Sequence, residues 1–121
     1  MKEEVKKWIN KAKEDFDTAK YNLDGGKTNA GVFFLQQAAE KSLKAFLIKR
    51  DNKFPKIHDL IKLGKLAGVD KELLKGCEKL SFVYTETRYP DTGNEDYSNE
   101  EIEEYIKIAE DILKWVEEKL S

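Results

Sequence analysis

The apolar residues in the first part of the chain recur at steps of three and four. Val5, Trp8, Ile9, Ala12, Phe16, Ala19 and Leu23 form a single stripe, which fits one face of a helix with 3.6 residues per turn and fits no strand. Gly25-Gly26 stops that helix. The same periodicity returns four more times. A second helix is predicted from about Asn29 to Arg50, with Thr28 or Asn29 as its cap. Its apolar residues, from Ala30 through Phe33, Phe34, Leu35, Ala38, Ala39 and Leu43 to Phe46, Leu47 and Ile48, cover a wide arc, so it is expected at the centre of the fold. A short third helix runs from about His58 to Ala67 and ends at Gly68. A fourth starts near Asp70, carries Leu73, Leu74, Cys77, Leu80, Val83 and Tyr84, and cannot pass Pro90. Ser98-Asn99-Glu100-Glu101 has the form of a capping box and opens a fifth helix through Ile102, Tyr105, Ile106, Ala109, Ile112, Leu113, Val116 and Leu120. Short links, no strand pattern and no linker predict an all-α fold, an up-and-down antiparallel bundle of about five helices forming one domain over 1–121.

With 121 residues, the chain can bury a core without a staple of disulfides or metal. Its single cysteine, Cys77, cannot close an internal disulfide, and this fits a reducing, cytoplasmic setting. The opening Met1-Lys2-Glu3-Glu4-Val5 has no apolar h-region and predicts no signal peptide. No apolar run reaches the length of a membrane span. The charges are mostly Lys and Glu, a bias seen in hyperthermophile proteins. The net charge of -2 hides an asymmetry. Residues 1–90 carry 19 Lys and Arg against 13 Asp and Glu, a balance of +6, whereas residues 91–121 carry 3 against 11, a balance of -8. An anionic ligand would therefore draw its contacts from the first 90 residues.

Most familiar chemical signatures are missing. The chain has no glycine-rich phosphate loop, and one His with one Cys makes no ordinary metal site, so no metal or cofactor is expected. Three segments stand out. They are Gln36-Gln37-Ala38-Ala39-Glu40-Lys41-Ser42-Leu43-Lys44-Ala45 on the second helix, His58-Asp59-Leu60 at the start of the third, and Thr87-Arg88-Tyr89-Pro90-Asp91 at the end of the fourth. In this order and spacing, along nearly the whole chain, they resemble the HEPN family (higher eukaryotes and prokaryotes nucleotide-binding domain).

That resemblance implies a helical bundle that often forms a homodimer or a larger even-numbered oligomer. It also implies a frequent partner, a minimal nucleotidyltransferase, in a two-component system of toxin–antitoxin type. Many members are metal-independent ribonucleases that use an Arg-x4-6-His pair. Others lack the pair and bind nucleotides, RNA or proteins. Here Arg88 matches the Arg, but the His positions hold Gly93, Asn94 and Glu95. An Asn cannot take and return a proton near neutral pH as imidazole does. The sole histidine is His58, 30 residues upstream of Arg88.

Each candidate has a functional and a plainer reading. Arg88 is a bidentate phosphate grip or a cation stabilised at a helix C-terminus. Tyr89 offers a face for a base, and so does Tyr84 unless it is core; Asp91 joins them in the polar loop. Lys41 and Lys44 are a phosphate-binding stripe or a solvated or dimer-rim stripe, and Glu40, one turn before Lys44, makes with it an i,i+4 pair that reads as surface support. His58 is either a displaced acid–base partner for Arg88 or, with Asp59, simply a helix start. Cys77 lies in an apolar stripe and reads as core rather than nucleophile. Three functions compete: a nucleotide-, RNA- or protein-binding module centred on Arg88, a ribonuclease toxin with a rearranged Arg88/His58 site, and an oligomeric assembly protein.

Overall fold

A computed structural model of the chain describes residues 2–53, 55–88 and 97–121, with side chains given throughout except at 84–88. Five helices follow in order: α1 (Glu3–Asp24), α2 (Thr28–Asp51), α3 (Leu60–Ala67), α4 (Lys71–Arg88) and α5 (Asn99–Leu120). No strand occurs among the described residues.

Local chemistry sets most of the boundaries. Gly26, at φ 78°, takes the left-handed conformation that ends α1. Asp59 caps α3 by accepting from the amides of Ile61 and Lys62, so α3 starts at Leu60 rather than at His58. Asp70 accepts from the Leu73 amide at 2.8 Å and opens α4. The capping box at α5 is complete: the Glu101 amide donates to Ser98 Oγ at 3.1 Å, and the Ser98 amide donates to Glu101 Oε1 at 3.0 Å. Neither Thr28 nor Asn29 caps α2. Lys27 stands at that N-cap with no side-chain bond, because the tight turn leaves Thr28 already inside the helix.

Cross-helix contacts give the directions. Lys2 bonds Asn52, Lys41 pairs with Asp15, and Gly31 lies against Ala19 and Leu23, so α1 and α2 are antiparallel. Phe46 meets the Trp115 ring edge-to-face at 5.0 Å, and Lys49 Nζ donates to the Leu120 carbonyl at 2.7 Å, so α5 runs parallel to α2. Lys79 pairs with Glu104, and Gly76 faces Ile108, so α4 opposes α5. Four long helices thus alternate up and down, and the short α3 bridges α2 and α4.

α2 packs against all four other helices. Val32, Leu35, Ala38, Ala39, Leu43, Ala45, Leu47 and Ile48 on α2 are all buried. Its wide apolar arc is thus absorbed by neighbours within one chain. Gly31 permits the closest α1–α2 approach, because a Cβ there would run into Leu23 and sit 3.2 Å from the Ala19 carbonyl oxygen.

Candidate functional site

The core of α2 holds a run of polar side chains inside an otherwise apolar helix. Gln36, Glu40 and Lys44 fall at successive steps of four, so they stack on one face. That face points inward: the Lys44 and Glu40 side chains are 2% and 6% exposed. Lys44 Nζ donates to Glu40 Oε2 at 3.0 Å. Gln36 Nε2 donates to the other oxygen, Oε1, at 3.3 Å, and Gln37 Nε2 donates to Gln36 Oε1 at 2.8 Å. Lys44 Nζ also sits 5.6 Å from the centre of the Trp8 ring on α1, within range of a cation–π attraction.

His58 completes the cluster from the loop before α3. Its Nδ1 lies 3.3 Å from Glu40 Oε2, while its side chain is 84% exposed. The same carboxylate oxygen therefore faces a buried ammonium and an imidazole that opens to solvent. Burying a carboxylate is costly unless it is paired and hydrogen-bonded, and here both conditions hold. Among the described residues, no buried side-chain nitrogen or oxygen lacks a partner.

The sequence candidates separate on this scaffold. Lys44 and His58 converge on Glu40, which replaces the surface i,i+4 pair expected for Glu40 and Lys44. Lys41 is not part of this cluster and pairs with Asp15 on α1. There it borders a shallow hollow beside Trp8 with Lys7 and Lys11. Tyr89 and Asp91 lie outside the described residues, as do the side chains of Arg88 and Tyr84.

The backbone of Arg88 closes α4. The Phe46–Trp115 and Gly76–Ile108 contacts set Gly76 level with the Glu40 segment of α2. Arg88 lies about 18 Å further along the α4 axis than Gly76, at the helical rise of 1.5 Å per residue. The fold therefore does not set the Arg88 backbone beside His58. Cys77 is fully buried, and desolvation pushes its thiol up to about 12, which marks a core residue rather than a nucleophile. No three His, Cys, Asp or Glu side chains among the described residues gather as metal ligands would, and no described helix is long and apolar enough to cross a membrane.

Gln36, Lys44 and His58 meet on the Glu40 carboxylate, a grouping that spacing alone does not announce. The available signal was Lys44, a charge set between Leu43 and Ala45 in a helix that is apolar nearly all round.

Comparison with known proteins agrees with the bundle. The sequence matches the HEPN domain over residues 5–119. The crystal structure of TT1696 from Thermus thermophilus superposes with a TM-score of 0.83 at 30% identity, covering 95% of this chain and 97% of that one. The structure of ST0689, an archaeal HEPN homologue, superposes with a TM-score of 0.82 at 31% identity, and the match covers 100% of both chains. No curated protein matches the sequence. A family match spanning almost every helix, carried by the same bundle as these relatives, makes the chain a member of the HEPN domain family.

Proposed function

We propose that this HEPN domain is a binding module for the phosphate of a nucleotide or RNA, with Arg88 as its principal contact, and that it works beside a minimal nucleotidyltransferase in a two-component system of toxin–antitoxin type. The observation that carries this reading is the state of the sole histidine. His58 is docked on Glu40, and Gly93, Asn94 and Glu95 occupy the positions where a ribonuclease of this family has its imidazole. Binding needs a positive field and a bidentate grip, which an arginine supplies. Cleavage needs in addition a group that takes the proton of the 2'-hydroxyl. Glu95 would serve only with its pKa raised by burial, and its neighbours Asn94 and Asp96 make a polar segment.

The end of α4 is not itself an anion site, because a helix C-terminus carries partial negative charge. Any phosphate there is held by side chains, and a homodimer that set two copies of Arg88 in one cleft would double the positive field. The test incubates the pure protein with mixed RNA, with and without a chelator, beside Arg88→Ala and His58→Ala. The expected result is no cleavage, with RNA or nucleotide binding lost in Arg88→Ala and kept in His58→Ala. Robust cleavage abolished by both substitutions would install the ribonuclease instead. Co-purification with the product of a neighbouring nucleotidyltransferase gene would support the two-component arrangement.

A further inference from the structure

Beyond the Arg88 reading, the geometry points to a docking surface: we infer that the groove between α4 and α5 receives a basic amphipathic helix of a partner protein. Two adjoining hollows run along these helices and share Lys79 and Glu104. Their floor is apolar, made by Leu73 and Val83 from α4 and by Tyr105 and Ile108 from α5. At one end Phe82 stands 65% exposed, one of three large apolar side chains open to solvent among the described residues. Beside it Tyr105 packs edge-to-face on Tyr97 at 5.9 Å. An aromatic side chain left in water at the mouth of an apolar groove is the kind of group that dominates binding once a partner covers it.

The rim decides what covers it. Glu72, Glu78, Glu101, Glu104 and Asp111 line the two hollows, against Lys75 and Lys79. Lys79 pairs with Glu104 and Lys107 with Asp111, which leaves Glu72, Glu78 and Glu101 against Lys75. The surplus is negative, so the complementary surface carries Lys or Arg around an apolar stripe. The span from Leu73 to Val83 is about 15 Å along α4, enough for about ten residues of a docked helix with apolar anchors at i, i+3, i+4 and i+7. A second copy of this chain seated symmetrically on the same groove is disfavoured. A two-fold contact would set this acidic rim against the same acidic rim of the other copy.

The probe is a leucine–lysine amphipathic helical peptide, with the matching leucine–glutamate peptide as control. Binding is followed by fluorescence anisotropy, and the site is mapped by amide chemical shifts on the full chain. The lysine peptide is expected to bind and to shift amides of α4 and α5 along the groove, while the glutamate peptide does not bind. Phe82→Ala should weaken the lysine peptide about tenfold. Glu78→Gln with Glu101→Gln should weaken it and flatten its salt dependence. Both changes are at exposed positions, and unchanged thermal unfolding would show the variants folded. Shifts confined to other helices, equal binding by all variants, or equal binding of both peptides would overturn the inference. So would self-association of the pure chain that Phe82→Ala abolishes, because a second copy would then occupy the groove.

Discussion

Glu40→Ala tests the interior of this bundle most directly. The substitution removes the carboxylate that pairs with Lys44 and faces His58. Lys44 then keeps its ammonium in a place that leaves its side chain 2% exposed, with the Trp8 ring near one side. Removing one partner of a buried pair costs about 3–5 kcal/mol, because the other charge stays desolvated. An exposed pair at the same spacing is worth only about 0.3–0.5 kcal/mol. The two readings of Glu40 and Lys44 therefore differ nearly tenfold in what they predict. For a domain of this size, a cost of about 3–5 kcal/mol lowers Tm by about 10–20 °C. The assay is thermal and urea unfolding followed by circular dichroism, on Glu40→Ala, and on the closed cycle of Glu40→Leu, Lys44→Met and the two combined. The double replacement removes both charges at similar volume, so it should be less harmful than the sum of the single changes, and close to neutral or stabilising. A Glu40→Ala cost below about 1 kcal/mol, or strict additivity in the cycle, would show that the pair is solvated and that the argument from its burial is wrong.

Gly31→Ala should destabilise by about 1–3 kcal/mol, despite the better helix propensity of alanine, because the new methyl meets Leu23 and the Ala19 carbonyl; urea unfolding measures it, and a gain in stability would refute the close approach. Cys77 should resist thiol reagents in the native protein near pH 8 and react only on unfolding. Its pKa is about 12 folded against 9.0 as the reference value. The folded state thus holds the proton longer, and the Cys77 contribution to stability is intact below about pH 9 and falls as pH rises from there toward 12; rapid native-state labelling would contradict this. Light scattering at micromolar concentration should give a homodimer or larger even oligomer, with an interface of at least ~1,000 Å2 involving α2 or α4; a 14.0 kDa particle, the mass of one chain, would count against it.

The helices are legible in the sequence because their signals are local. Ser98 and Glu101 specify a cap through bonds three residues apart, and Asp70 does the same for α4. The central place of α2 is legible from the breadth of its apolar arc. Four helices of the same chain cover that arc. The site is less legible. Spacing alone puts Glu40 and Lys44 on one face but says nothing about whether that face meets water or α1. His58 is 18 residues from Glu40, and its approach depends on the path of the loop before α3, which no periodicity encodes. Arg88 stands out by motif, a signal that carries no information about depth or distance.

The position of α2 also bears on how the chain unfolds. Each of the other helices rests on it, so none can leave without uncovering part of the same apolar surface. A bundle of two separable hairpins would melt in stages, but this one has no such seam. The expected behaviour is a single cooperative transition, in which the slowest-exchanging amides belong to α2 and those at the ends of α1 and α5 exchange first. Because most contacts join helices that are neighbours in sequence, the average loop to be closed is short, and folding should be fast for a chain of this length.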